Sequence, residues 1–238
     1  MTFKNSVKGL DQLISGDTKE GYVILITGAP GTLKTAFTFT AMNGMLSESG
    51  KRGIYMTLEH RREDLLWGMK SLSITQHKNL GIVDIAGFKN HLNQISGYNI
   101  TGTGFYELML KTMESPIENG TEGPDGRPWF CAIDSLNVVL SVLRISPEDR
   151  RDFVNNFLNI LKSKNMVSLV VHEETGQDLD EYYIADSVIT LGIDRTDKNT
   201  PYRYIIVRKM RGVEHKLGQF VIQADKEGIE IVGQKMRT

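Results

Sequence analysis

The chain has 238 residues, of which 40% are hydrophobic and 24% charged, and its formal net charge is −1. This length suits one large folded domain, and the charge balance excludes a global attraction to nucleic acid or to an acidic membrane. The single cysteine, Cys131, excludes an internal disulfide and a cysteine-rich zinc site, while the absence of an 18-residue apolar run predicts a cytoplasmic protein without a membrane span.

The first predicted strand is the run YVILIT at residues 22–27, which is apolar with little polar alternation. Such continuity is typical of a strand buried on both faces of a sheet. Four later runs have the same character: GIYMTL at 53–58, LGIVDIA at 80–86, WFCAIDS at 129–135 and MVSLVVH at 166–172. Cys131 lies in one of them, and we expect it to be a buried packing residue.

Helical patterns separate these strands, at residues 34–48, 61–72, 106–118 and 147–164. The first is predicted to stop at Gly50. The last has the clearest start, because Ser146 can cap it and Pro147 suits the first helical position. Alternating strands and helices predict an α/β fold with a mainly parallel sheet flanked by helices.

The end of the chain changes character. Four short strand-like runs joined by turns predict antiparallel hairpins added to the parallel sheet: SVITLGI, YRYIIVRKM, LGQFVIQ and IEIVG. The polar stretches 87–105 and 119–128 are expected to be exposed loops. No linker divides the chain, so we expect a single domain over residues 1–238.

The segment GAPGTLKT follows the first strand and opens the first helix, which is the setting of a phosphate-binding loop. Backbone N–H groups of such a turn bind a polyphosphate, and Lys34 is expected to reach the β- and γ-phosphates. The residues expected to bind the nucleotide here are Gly28, Pro30, Gly31, Thr32, Leu33, Lys34, Thr35 and Ala36.

Leu33 departs from the pattern G-x-x-x-x-G-K-[ST], which has glycine at this position. Leu can adopt helical dihedral angles, so the turn is not forbidden. Its side chain must then point away from the phosphates or crowd them. We therefore expect Leu33 to impair fast hydrolysis more than it impairs nucleotide binding.

Three other residues follow strands that we expect to end at the same edge of the sheet. Asp134 is predicted to hold Mg²⁺ together with the hydroxyl of Thr35. Glu59 is the candidate general base for the attacking water. His172 could sense the γ-phosphate, although a structural role is an equal alternative for a lone histidine.

Taken together, these segments resemble the KaiC-like branch of the RecA-superfamily ATPases along nearly the whole chain. The resemblance is carried by VKGLDQLISG, GAPGTLKT, IYMTLEH, AIDSLNVVL, YYIADSVITL and VRKMRGVEHKLGQFVIQADKEGIEIV. It implies binding of ATP/ADP with Mg²⁺ and a homo-oligomer, a hexameric ring, with a regulatory or signalling role and a protein partner that the sequence does not identify.

The last of these segments implies catalysis shared between subunits. In the family, the positions matched by Lys209, Arg211 and His215 contact the nucleotide of the neighbouring subunit. We expect Lys209 and Arg211 to project together from one strand, because residues two apart in a strand share a face. Val213 replaces the family's usual threonine.

Two alternatives remain. Leu33, His60 and Val213 depart from the family pattern, which would suit a non-catalytic nucleotide switch. A DNA-binding recombinase paralogue is the other alternative. Its pore loop would be ETGQDLDE at 174–181, and this acidic stretch without aromatic residues argues against nucleic-acid binding.

Overall fold

The computed structural model describes residues 3–85, 87, 102–114, 128–174, 184–195 and 199–234. The strands in these ranges are β1 (Val23–Gly28), β2 (Gly53–Thr57), β3 (Leu80–Asp84), β4 (Phe130–Asp134), β5 (Val167–Glu173), β6 (Ser187–Arg195), β7 (Pro201–Met210), β8 (Phe220–Asp225) and β9 (Gly228–Gln234). They form one sheet in the order β3-β2-β4-β5-β1-β6-β7-β8-β9.

The helices are α1 (Lys34–Ser49), α2 (Arg62–Ser71), α3 (Gly102–Glu114), α4 (Leu136–Val142) and α5 (Arg150–Ser163). Two short 3₁₀ turns, Phe3–Asn5 and Leu10–Gln12, precede β1. Within the described part of the chain, no helix has the length and apolar character needed to cross a membrane.

The sheet has the two parts that the sequence predicts. Strands β1 to β6 pair in parallel, whereas β7, β8 and β9 continue the sheet as antiparallel hairpins. Strand β6 joins the two parts, because it pairs in parallel with β1 and antiparallel with β7. The predicted fold class is therefore confirmed.

Helices cover both faces of the parallel part of the sheet. The side chains of β1 pack against helices on each face. Ile24 and Ile26 lie in the apolar cluster that includes buried residues of α1 and α2. Val23 and Leu25 lie in a second cluster with buried residues of α3, α4 and α5. Alternate side chains of a strand point to opposite faces, so a strand buried on both sides needs an unbroken apolar run. Cys131 is buried in the second cluster, as expected.

The start of α5 corrects one prediction. The helix begins at Arg150, not at Pro147, and its N-cap is Asp149. Ser146 caps the turn before the helix instead: its hydroxyl donates to the Asp149 carboxylate at 2.8 Å and accepts the Asp149 N–H at 3.2 Å. Helix α3 also differs, since it begins at Gly102, ahead of the predicted residue 106. The predicted loops fall largely outside the described residues, at 88–101 and 119–127.

Two edges of the parallel sheet are important for the site. The carboxyl edge holds the ends of β1, β2, β4 and β5, and the amino edge holds their beginnings. Strand β7 runs the other way, so its end, where Met210 pairs with Ser187, lies at the amino edge. At roughly 3.3 Å per residue, the six residues of β1 separate the two edges by about 17 Å.

Candidate nucleotide-binding site

The loop between β1 and α1 has the backbone of a phosphate cradle. Gly28 and Gly31 both have positive φ, 146° and 79°. At Gly28 an added Cβ would collide with the carbonyl oxygen of Leu191, so this position requires glycine. At Gly31 an added Cβ would meet nothing within 4 Å, because the loop opens there into free space. The loop therefore presents its backbone and the first N–H groups of α1 to a ligand.

Leu33 does not adopt the helical dihedral angles that are open to leucine. Its φ of 74° and ψ of 19° lie in the left-handed region, where a side chain costs about 1–2 kcal/mol. The residue turns the chain from the loop into α1, and its carbonyl accepts the Phe37 N–H at 2.8 Å. The half-buried side chain of Leu33 lines the cavity above the loop. This location is compatible with the predicted crowding of the phosphates, which stays a prediction.

A cavity of about 340 Å³ lies at the carboxyl edge, over the phosphate loop. It is lined by Pro30, Gly31, Leu33, Lys34, Thr35, Ala36, Glu59, His60, Met69, Asp134, Ser135, Val171 and Glu173. Most of the predicted loop residues are in this set. Thr32 stays behind the loop, where its hydroxyl donates to the Ala29 carbonyl at 2.8 Å.

Lys34 lies in this cavity and folds back over its own loop. Its ammonium group donates to the Ala29 carbonyl at 2.8 Å and lies 3.6 Å from the carboxylate of Glu173. A phosphate chain entering the cavity would offer more negative charge than either partner. We therefore expect Lys34 to turn towards the ligand when a nucleotide binds.

Asp134 ends β4 and is almost fully buried, with 4% of its surface exposed. The Tyr55 hydroxyl donates to it at 2.7 Å, and burial raises the pKa of Asp134 although hydrogen bonds from Tyr55 and Thr35 oppose the rise. A carboxylate beside a hydroxyl is an oxygen donor set that suits Mg²⁺. The described residues contain no cluster of three potential metal-binding side chains. In proteins, Mg²⁺ is usually held by one or two carboxylates, and phosphate and water complete its shell.

Glu59 follows β2 and lies at the same edge. The Ser135 hydroxyl donates to its carboxylate, which ties the end of β2 to the end of β4. His60 also lines the cavity, and its backbone N–H donates to the Thr57 hydroxyl at 3.2 Å. The predicted base and the predicted metal ligand are therefore brought to the same cavity as the loop.

His172 does not lie in the cavity, which contradicts its predicted role as a phosphate sensor. Its neighbours Val171 and Glu173 line the cavity, so the strand directs His172 to the opposite face. There it is fully buried, and its Nε2 lies 3.4 Å from the guanidinium of Arg150. The structural alternative therefore applies to His172.

Lys209, Arg211 and His215 lie at the amino edge, away from the phosphate loop of their own chain. The Lys209 ammonium donates to the Ala185 carbonyl at 2.6 Å, and Arg211 lies 4.0 Å from the carboxylate of Asp186. The ring of His215 contacts the Val213 carbonyl at 3.1 Å. Strand β7 ends at Met210, so the expectation that Arg211 projects from the same strand as Lys209 is wrong. Both residues nevertheless contact the segment before β6.

A family model described as "ATPase: KaiC" matches residues 3–236. The chain belongs to the KaiC ATPase family. This membership supports a nucleotide-binding ATPase.

Relatives of several kinds share this similarity. A UPF0273 protein of Methanopyrus kandleri is 24% identical over 97% of this chain and 91% of its own length. The circadian clock oscillator protein KaiC of Prochlorococcus marinus is 21% identical over 94% of this chain but only 44% of its own length. The crystal structure of a KaiC-like protein of Pyrococcus horikoshii has a TM-score of 0.76, with 24% identity and coverage of 97% of this chain and 98% of that one. The structural likeness supports the KaiC-like fold.

Two polar features near the loop of this KaiC-family chain do not follow from its motifs. The first is Glu173, which ends β5 directly opposite Gly28. Its position after an apolar strand is the sequence signal that could have identified it. The other is a chain of hydrogen bonds that begins at Glu174 and leads to Thr27 at 2.9 Å, Thr190 at 2.8 Å and Arg208 at 2.7 Å. Contacts between separate strands carry no local sequence signal. These hydrogen bonds connect β1, just before the phosphate loop, to the C-terminal hairpins.

Proposed function

We propose that this chain is an ATPase that hydrolyses ATP with Mg²⁺ at the interfaces between subunits of a ring and serves a regulatory or signalling role. One observation carries the proposal: the phosphate loop, Asp134 and Glu59 come from three separate strands and line one cavity. The loop by itself accounts for ATP binding. Hydrolysis also needs a metal ligand and a group that orients or deprotonates the attacking water.

Each of these residues has a task in this proposal. Lys34 contacts the β- and γ-phosphates, while Thr35 and Asp134 hold the metal ion. Bound Mg²⁺ would neutralise charge that develops on the phosphate oxygens. Glu59, oriented by the Ser135 hydroxyl, accepts a hydrogen bond from the attacking water and directs it at the γ-phosphate.

The position of Lys209 and Arg211 supports a site shared between subunits. Both lie at the amino edge, about 17 Å along β1 from their own phosphate loop by the rise of a strand. An extended arginine side chain is too short to cover that distance. If these cations act on a phosphate group, that phosphate therefore belongs to another subunit, where they would stabilise charge as an arginine finger does.

The proposal is tested by ADP release from the purified protein at saturating ATP. Steady release is expected with Mg²⁺ and not with excess chelator. A Lys34→Ala variant, which removes the phosphate-binding cation, sets the background of contaminating activity. If wild type and Lys34→Ala release ADP at the same rate, the proposed hydrolysis is refuted.

A second candidate is a nucleotide switch that binds ATP without turning it over. The observation that favours it is Leu33, whose backbone lies in the left-handed region and which lines the cavity. ATP binding without ADP release above the Lys34→Ala background would support the switch.

Leu33→Gly is expected to raise turnover several-fold and to retain ATP binding. Glycine adopts the left-handed conformation without a steric cost and lets the backbone approach the phosphates. Leu33→Ala is the matched control, because it removes the crowding side chain but keeps a Cβ in the strained conformation. A gain in both variants points to side-chain crowding, and a gain in glycine alone points to the backbone. Unchanged turnover in both folded variants would contradict the expected effect of Leu33.

The rate at limiting ATP is expected to fall as the pH rises above about 8. Burial, reinforced by the nearby charge of Arg211, lowers the pKa of Lys209 to about 8. Lys209 is cationic below this pKa, so the charge proposed to act on the neighbour's phosphate is lost above it. Initial rates between pH 7 and 9.5 measure this loss. In Lys209→Arg the charge persists at every pH in this range, and the fall should disappear. An identical fall in the arginine variant would assign the pH dependence to another group.

A further inference from the structure

We infer that Asp186 is a positioning residue that holds the backbone after β7 and directs Arg211 towards the nucleotide of a neighbouring subunit. The inference rests on the shared site proposed above. Asp186 lies in the turn that leads into β6 at the amino edge, and 7% of its surface is exposed.

The two carboxylate oxygens of Asp186 have different partners. Oδ2 accepts the backbone N–H of Val23 at 3.1 Å, which fixes the carboxylate against the start of β1. Oδ1 lies 3.1 Å from the ammonium group of Lys162 on α5 and 4.0 Å from the guanidinium of Arg211. One buried carboxylate therefore joins a strand, a helix and the segment from Lys209 to Arg211, which we call the basic segment.

The backbone of Asp186 also holds this segment. Its carbonyl accepts the Arg211 N–H at 2.9 Å, and the hydroxyl of Tyr22 donates to the Arg211 carbonyl at 2.9 Å. Lys209 is held one residue earlier, by the Ala185 carbonyl. The segment that carries both cations is thus held at its backbone and at its side chains.

Arg211 is partly exposed although its backbone and side chain both contact Asp186. Lys162 is the closer cation and provides the main neutralising charge for the Asp186 carboxylate. Arg211 is the looser partner, and about half of its side chain is exposed beside a cavity of about 400 Å³. This cavity is lined by Asp17, Lys19, Tyr22, Asp186, Arg211, Gly212 and Val213. A guanidinium that is directed by a carboxylate and still exposed is oriented in advance for an anion outside the chain.

Asp186→Asn separates positioning from folding. Asparagine has nearly the same shape and keeps an oxygen acceptor for the Val23 N–H, but it loses the charge that directs Lys162 and Arg211. Asp17→Asn is the matched control, since Asp17 is an exposed acid on the rim of the same cavity. We expect hydrogen exchange in peptides spanning residues 207–214 to become several-fold faster in Asp186→Asn and to stay unchanged in Asp17→Asn.

The catalytic test uses mixed assemblies of two inactive parents, Lys34→Ala and Arg211→Ala. In such a mixture a Lys34→Ala subunit can supply its basic segment to the intact loop of an Arg211→Ala neighbour. Asp186→Asn is then added to one parent at a time. Placed in the Lys34→Ala parent, it should lower the restored activity about tenfold or more, within the range that misplaced groups cost. Placed in the Arg211→Ala parent, whose basic segment is already defective, it should have little effect.

The outcomes separate the inference from the proposed function. If the parents assemble together and no activity returns, the shared site is refuted, and the trans role of Asp186 is refuted with it. If activity returns and Asp186→Asn affects both placements equally, or neither, the shared site stands and the inference is overturned. Unchanged exchange in residues 207–214 would also overturn it. A loss confined to the Lys34→Ala placement supports Asp186 as a positioning residue.

Discussion

Arg211→Ala is expected to lower ATP turnover of the assembled protein by about 10³-fold or more, which is the lower part of the range for arginine fingers. ATP affinity should change little, because the phosphate loop and Lys34 remain intact. The reason is that charge accumulates on the phosphate oxygens only as the reaction proceeds, so a cation directed at them acts mainly on the transition state.

The matched variant is Arg211→Lys, which keeps the positive charge and loses the planar pair of donors. Its turnover should lie between wild type and Arg211→Ala, because lysine cannot make the two parallel contacts of a guanidinium. Turnover at saturating ATP and the affinity for a fluorescent ATP analogue are measured on the same preparations, with assembly checked by light scattering. If Arg211→Ala turns over ATP normally while assembled, Arg211 is a structural residue of the amino edge.

Glu59→Gln is expected to reduce turnover by about 10²-fold or more, the scale of a general base, with ATP affinity preserved. Glutamine has the same size and can still accept the hydrogen bond of the Ser135 hydroxyl, so the link between β2 and β4 should survive. Only the ability to take a proton from water, or to attract it strongly, is removed.

Glu173→Gln provides the comparison for Glu59→Gln, because Glu173 is the other glutamate that lines the cavity. Its contact with Lys34 predicts a change in ATP affinity rather than a large loss of turnover. Single-turnover hydrolysis and nucleotide titrations of both variants distinguish the two roles. Were Glu173→Gln to show the larger loss of turnover, the base would have to be reassigned to Glu173.

The fold could be predicted from the sequence to a large extent, because the governing signals are local. The run at residues 22–27 is apolar at every position except its last, and a strand covered on both faces requires this. The loop after it follows a spacing pattern, and Asp134 and Glu59 each follow an apolar strand. Parallel strands place such residues at one edge, so their meeting in one cavity follows from the fold class.

The errors concern features that depend on distant contacts. Leu33 takes a left-handed backbone because the loop must turn into α1, and a leucine in the sequence gives no sign of this strain. His172 and Glu173 are adjacent, and only the register of β5 decides which of them faces the cavity. Asp186 lies in YYIADSVITL, which carries the family resemblance, but its contacts have no local signal because its partners come from residues 23, 162 and 211.

The phosphate loop and the basic segment lie at opposite edges of the parallel sheet, which has a consequence for assembly. If each chain offers its basic segment to the next chain's loop, the contact joins two unlike surfaces, a head-to-tail arrangement. Repetition of such a contact either closes on itself or grows as an open helix. An open assembly always has one terminal phosphate loop that no neighbouring basic segment contacts, whereas a closed ring completes every site. Under the proposed chemistry, ring closure would therefore activate the one site that is incomplete in the open assembly.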